Sequence, residues 1–295
     1  MVEKRNIAFN EKLHTYTDEF GKSYTSVTTL IDKYAPKFDK EKWALIKAKE
    51  AGTTPEIIKA SWEQITDYAC EKGSKEHKLL EDSINNATYK REEKYSELKI
   101  SIGLNIIINT TNLHILANSP LANKYPKIYN YLKEKIEEGW TLHCEKRIYW
   151  AEYLVAGTID LLLIKGKFFI IVDWKTNKDK MMFKSGYYKK VNGIKTNTWV
   201  DKKEYMFRPI GFLEHCKGIK YTLQLSMYAY IMELWGFKCI GLRLFHIREV
   251  EGLTQYEIKY EKQASELLLI DNINGISMNS GTKKITNVGT TFGIY

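Results

Sequence analysis

The sequence predicts an α/β fold, a central mixed β-sheet flanked by helices and preceded by a helical N-terminal region. Three observations predict it. Apolar residues in the first third recur at helical spacing, and from Thr141 the pattern changes to short runs rich in β-branched and aromatic residues. One further helical stretch then separates those runs from a last strand pair, the mixture expected of a sheet covered by helices.

Residues 14–34, HTYTDEFGKSYTSVTTLIDKY, begin as alternating polar and aromatic positions around Phe20-Gly21-Lys22, which predicts a β-hairpin. Ser26 then caps a helix over VTTLIDKY, because its hydroxyl can satisfy a free amide of the first turn. Helical spacing continues over 40–49, 55–70 and 74–84, and again over 121–138, where Gly139 supplies the stop. CEKRIYW, TIDLLLI and KFFIIVDWK read as strands, the last two joined by a Lys165-Gly166-Lys167 turn. Residues 221–234 form a helix, and 239–247 with 253–259 a final strand pair. The segments divide as 1–140 (hairpin and helical region), 141–275 (sheet and following helix, with an insertion at 176–220) and a 276–295 tail read mainly as loop. All are expected in one compact domain.

Composition narrows the function. With 44% hydrophobic and 27% charged residues, the chain is expected to be globular and soluble rather than disordered. A net charge of +9 points to a polyanionic partner, nucleic acid or an anionic membrane surface. The most apolar stretch, 100–116, is broken by Asn105, Asn109, Asn112 and His114, so a membrane span is not expected. MVEKRNIAFNEK lacks the apolar core of a signal peptide, and the four cysteines form no C-x-x-C pair. A reducing, intracellular setting follows as the expectation.

The chemistry centres on residues 168–178, FFIIVDWKTNK. Strand side chains alternate between faces, so Asp173 and Lys175 point one way and Trp174 the other. The Lys165-Gly166-Lys167 turn can bring Asp160 beside Asp173. Two adjacent carboxylates repel, and a divalent cation offsets that repulsion; hard oxygen ligands suit Mg²⁺ or Mn²⁺. Two acids and a lysine so placed fit metal-assisted attack on a phosphodiester, with the lysine assisting the attacking water. A solvated strand end is the alternative, since D-x-K alone is common. The preceding G-x-x-D strand favours the site.

Gly157-Thr158-Ile159-Asp160, Asp173-Trp174-Lys175-Thr176 and Gln224-Leu225-Ser226-Met227-Tyr228 resemble the G-x-x-D, D-x-K-T and Q-x-x-x-Y motifs of RecB-like PD-(D/E)XK nucleases. Gly73-Ser74-Lys75-Glu76-His77 resembles the G-x-x-x-H helix that precedes them there. The Ser26-Val27-Thr28 opening and the motif order are similar to exonucleases of phage and mitochondrial genome-maintenance type, over about residues 14–250. The resemblance implies a restriction-endonuclease-like core and a metal-dependent DNA exonuclease acting in phage-type recombination, replication or repair. It implies Asp160, Asp173, His77 and the backbone carbonyl of Trp174 as ligands of Mg²⁺ or Mn²⁺, and Lys175 as the catalytic lysine. Glu145 matches an acid that binds a second metal or orients the lysine; a plain surface glutamate is the alternative reading. Gln224 would lie near the metal or the DNA backbone, with Tyr228 bracing the helix against the sheet, although packing alone also explains Tyr228. Only Cys239 follows Q-x-x-x-Y, so no iron–sulfur cluster is expected.

The 176–220 insertion holds ten lysines and one arginine against four acids, +7 of the chain's +9. Lysines neutralise phosphates and aromatic rings stack on unpaired bases, so Lys178, Lys180, Lys184, Tyr187, Tyr188, Lys189, Lys190 and Trp199 are the expected DNA contacts. The alternative is a solvated loop anchored by its aromatics. Expected partners are DNA with a free end or single-stranded portion and an annealing or replication protein, in the cytoplasm of a bacterial or phage-infected cell. Rival functions are a structure- or site-specific endonuclease and a catalytically silent DNA-binding or scaffold protein.

Overall fold

Alternating aromatics at the N-terminus pair first. Ala8–Asn10 (β1), Thr15–Thr17 (β2) and Ser23–Ser26 (β3) form an antiparallel meander that turns at Gly21, φ 77°. Asp18 ties that turn by accepting from the Phe20 and Lys22 amides at 3.0 and 2.9 Å. The computed structural model describes residues 5–10, 13, 15–91, 108–191, 194–249 and 252–279, so His14 of the expected hairpin lies outside them.

Val27–Lys33 (α1) follows β3 directly, and Ser26 Oγ caps it as expected, accepting from the Thr29 amide at 3.0 Å. Lys40–Ala51 (α2) ends at Gly52 in the left-handed conformation, and Pro55–Ala87 (α3) begins with proline in its first turn. α3 corrects the expectation of two helices, since its 33 residues run unbroken through Gly73. That glycine marks a close approach instead of a break: a Cβ there would lie 3.1 Å from Thr176 Oγ1. Thr88–Arg91 (β4) pairs antiparallel with Ile108–Thr111 (β5). Of the apolar stretch 100–116, residues 100–107 lie outside the described residues, and no helix among the described residues is long and apolar enough to cross a membrane.

Leu113–Ala117 (α4), Pro120–Lys124 (α5) and Pro126–Glu137 (α6) come next. One helix was expected over 121–138, but Pro126 offers no amide hydrogen and pushes Tyr125 out of the helical region, to ψ 66°. Gly139 stops α6 as expected, at φ 90°.

The sheet strands are Thr141–Trp150 (β6), Val155–Lys165 (β7) and Phe168–Lys175 (β8), with Gly166 at φ 57° in the β7–β8 turn. Within the insertion, Gly186–Val191 (β9) and Ile194–Asp201 (β10) pair as a separate antiparallel ladder, so the segment is not simply loop. Lys217–Leu234 (α7), Lys238–Arg248 (β11), Gly252–Glu257 (β12) and Lys262–Asn279 (α8) complete the order. α8 corrects the tail: residues 276–279 are helical, and 280–295 lie outside the described residues.

The main sheet is mixed, in the order β1-β2-β3-β7-β8-β11-β12, with β6 also on β7. The β3–β7 and β8–β11 pairs are parallel and the others antiparallel. Helices cover both faces, which is why β7 and β8 read as nearly continuous apolar runs. In β8, Phe169 and Ile171 join the core under α1, α7 and α8, whereas Ile170, Val172 and Trp174 join the core under α3 to α6. Asp173 therefore continues the α7-facing row, in place of an apolar residue.

α7 is fastened to the sheet through Gly157. A Cβ at that position would stand 2.4 Å from Tyr228 Cε1, and the Tyr228 ring is 4% exposed with no room to retreat. Gly157→Ala is expected to lower stability by about 1–3 kcal/mol, the usual range for overpacking, measured as a drop in urea midpoint with unchanged slope. A midpoint equal to wild type would remove this close approach as the reason for the glycine.

Candidate metal centre

β6 takes one edge of β7 over its whole length, from Val155 to Ile164, so β3 and β8 must share the other edge. β3 pairs at Val155 and Ala156, and β8 begins pairing at Leu161. Residues 157–160 fall in the gap where the two neighbours diverge, and Asp160 sits at its rim. One step past the Leu161–Val172 pair, Asp160 faces Asp173, and its Oδ2 accepts from the Trp174 amide at 3.0 Å. The short turn thus brings the two acids together as the spacing predicted.

α3 supplies the third group. His77 Nε2 donates to the carbonyl of Trp174 at 3.1 Å, and its Nδ1 lies 3.5 Å from Asp160 Oδ2. Glu81 lies one turn further along α3, but the His77 ring faces Trp174 and Asp160. Glu145 approaches from β6, opposite Asp160. The ladder pairs Cys144 with Leu161 and Lys146 with Ile159 but skips the step between, where Glu145 adopts φ 47°. A left-handed glutamate inside a strand costs about 1–3 kcal/mol and persists only where the surroundings impose it. One ligand atom from each of His77, Glu145 and Asp160 lies within 4.8 Å of the others.

The electrostatics are those of crowded acids. The Glu145 carboxyl is pushed up to about 8, by burial first and then by the Asp160, Glu81 and Asp173 carboxylates. Asp173, 1% exposed, is also raised, mainly by burial, with the Lys175 ammonium opposing and Asp160 adding to the rise. Lys175 Nζ lies 2.6 Å from Asp173 Oδ2, while Asp173 Oδ1 is buried without a hydrogen-bond partner. Burial disfavours the charge on Lys175, but Asp173 and Asp160 outweigh it and hold the amine above its ordinary value. A hard divalent cation fits this set: three carboxylates, a carbonyl and an imidazole converge, and one buried carboxylate oxygen is unsatisfied.

Two residues escaped the sequence reading as site members. Tyr221 places its ring 4.8 Å from Lys175 Nζ; its signal was its position three residues before Gln224, on the same helix face. Glu81 adds its field to Glu145, and its signal was the i+4 spacing from His77. Gln224 donates to Tyr228 Oη at 3.1 Å, and both are buried, so this pair braces α7 and Gln224 is not open to a substrate. Glu145 also lines a cleft of about 320 Å³ together with Arg5, Lys146 and Arg147.

The expected DNA contacts divide. Lys178, Lys180, Lys184, Tyr187, Lys189 and Lys190 are exposed. Tyr188 and Trp199 meet edge to face at 5.1 Å across the β9–β10 ladder, and Trp199 crowds Gly186, so those two rings hold the hairpin together. That contact lies within the insertion, between β9 and β10.

No protein-family model matches this sequence, and no curated protein matches it. Among solved structures, the crystal structure of SSO0001 aligns with 55% of this chain and 65% of its own, under two thirds of its length, at 16% identity and a TM-score of 0.25. Similarity of that extent carries no argument.

Glu145 also sets a pH dependence. Between its unfolded value of about 4.3 and its folded value of about 8, the native state keeps a proton that the unfolded chain releases. Without added cation, this group therefore costs stability as pH rises through that window. Glu145 keeps more than a third of its surface in water, which screens the effect. Glu145→Gln is expected to gain melting temperature over wild type progressively from pH 4.5 to 8 in chelator, then level off. A constant difference across that range would contradict the crowding.

Proposed function

We propose that this protein is a metal-dependent deoxyribonuclease of the RecB-like PD-(D/E)XK type, cutting DNA from a strand end. The observation that carries the reading is the meeting of His77, Glu145 and Asp160, ligand atoms within 4.8 Å, beside the buried Asp173–Lys175 pair. The residues of the G-x-x-x-H, G-x-x-D, D-x-K-T and Q-x-x-x-Y patterns come from α3, β7, β8 and α7, far apart in sequence and adjacent in space. Convergence of that kind is not expected of four chance matches.

Asp160, Asp173, His77 and the Trp174 carbonyl would hold Mg²⁺ or Mn²⁺, with Glu145 as a further ligand. Bound there, the cation supplies Lewis-acid stabilisation and an activated water at neutral pH. The chain's own residues supply the rest. Asp173 and Asp160 keep Lys175 protonated, so it donates a hydrogen bond to the attacking water or neutralises a phosphate oxygen. Tyr221 limits where the ammonium can swing. Asp160 locks the end of β8 through the Trp174 amide, which fixes the orientation of the Trp174 carbonyl's strand. Arg5, Lys146 and Arg147 line the adjoining cleft and favour a polyanionic substrate.

Exonucleolytic cutting is the form the motif order supports. Asp173→Ala and Lys175→Ala are each expected to slow Mg²⁺-dependent digestion of end-labelled linear DNA by roughly 10²–10⁴-fold, with binding affinity within a few-fold of wild type. Digestion at wild-type rates by both folded variants would refute the mechanism. Equal cutting of closed circular and linear single strands would instead assign an endonuclease.

A further inference from the structure

Phe38, just before α2, and Trp43, within it, expose 66% and 42% of their surfaces. Their rings lie nearly parallel, 8° apart with centroids at 6.5 Å. Trp62 of α3 meets Phe38 edge-on at 5.9 Å and holds that ring in place. With Lys202 after β10, these residues line a cavity of about 560 Å³, within the ligand-sized range. Exposed, oriented aromatics gathered in a concave site mark a binding surface rather than scattered surface hydrophobes.

The charge around the rings selects the occupant. Lys37, Lys42 and Lys202 line the cavity and make no ion pair among the described residues. The two acids of the lining are already engaged: Asp39 caps α2 by accepting from the Lys42 amide at 2.9 Å, and Glu204 faces His215 Nδ1 at 3.2 Å. The balance left to a ligand is cationic. Lys202 Nζ also lies 5.9 Å from the Tyr187 ring, which links the cavity to the exposed Lys189 and Lys190 of β9.

We propose that this cleft between the α2–α3 pair and the end of β10 binds unpaired nucleotides of a single strand. Bases stack on Phe38 and Trp43, and Lys37, Lys42 and Lys202 neutralise the phosphates on either side. Stacking requires a free π-face, which a base within a duplex does not offer, so the cleft discriminates single from double strands. The proposal rests on the nuclease reading for its purpose, to hold the strand outside the metal centre, but binding itself needs no cutting.

Fluorescence anisotropy tests it on the full chain in chelator, where no cutting occurs, with labelled oligo(dT) of about 15 nucleotides and a blunt duplex of equal length. Phe38→Ala with Trp43→Ala is expected to weaken oligo(dT) binding about ten- to a hundredfold and to leave the duplex within about twofold. Lys37→Ala and Lys42→Ala are each expected to lower the salt dependence of oligo(dT) binding by roughly 0.7 in the log–log slope. Should the aromatic variant fail to fold, Lys37→Glu with Lys202→Glu, both exposed, carries the test and is expected to weaken oligo(dT) binding at least tenfold. Wild-type affinity in folded variants overturns the proposal, as does an equal loss on duplex. A proline-rich peptide that binds through Phe38 and Trp43 while oligo(dT) does not would reassign the cleft to a protein partner. Wild-type cutting in Mg²⁺ separates the two readings: cutting that survives without any role for the cleft defeats only this proposal. Oligo(dT) binding through the cleft with no cutting under any divalent cation defeats only the nuclease.

Discussion

Asp173 ends a strand buried on both faces, 1% exposed, and the cation beside it is the Lys175 ammonium 2.6 Å away. A carboxylate in that position must be neutralised by a proton, a cationic side chain or a metal ion, because burial penalises the charged form heavily. Much of the surrounding architecture answers that requirement. The β7–β8 turn brings Asp160 alongside, α3 brings His77, and the unpaired step of β6 brings Glu145. Each added acid makes the crowding worse in the absence of a cation, which is an arrangement suited to binding one rather than to stability.

The divided edge of β7 makes room for that cluster. Had β8 continued along β7 toward Val155, residues 157–160 would be sealed by ladder hydrogen bonds. β3 takes the first positions instead, and the interval between the two neighbours stays open. Two glycines then set the distances of the flanking helices. Gly157 admits the Tyr228 ring of α7, and Gly73 lets α3 approach Thr176 at the end of β8. The Gln224–Tyr228 hydrogen bond belongs to this scaffolding, which explains why a polar helix face can be buried without touching a substrate.

Basic and aromatic residues are spread over several elements rather than one patch. Arg5, Lys146 and Arg147 share a cleft with Glu145, Lys202 and Tyr187 connect β9–β10 to the α2–α3 cleft, and the Tyr188–Trp199 contact stiffens the hairpin between. The same residue types thus serve two ends. Rings that face one another within the ladder are structural, and rings left open beside unpaired lysines are available to a ligand.

Local sequence determined most of the elements of this protein, because strand alternation, capping and turn chemistry act over a few residues. Ser26 caps α1, Gly166 turns β7 into β8, and the period of two places Asp173 and Lys175 on one face; all three were legible in the chain. So was the pairing of Asp160 with Asp173, since a tight turn fixes the register of its strands. Gly73 and Pro126 were misread for opposite reasons. A glycine tolerated for packing looks like a break, and a proline in the first turn of a new helix looks like the interior of one longer helix. Only the tertiary structure decided that His77 faces Asp160 rather than Glu81, that Tyr221 sits over Lys175, and that Glu145 leaves its ladder to join the acids. Those contacts join residues from 15 to 83 positions apart, across separate elements. Nothing in the local spacing records them, because they follow from how helices dock on a sheet and not from the chain's own periodicity.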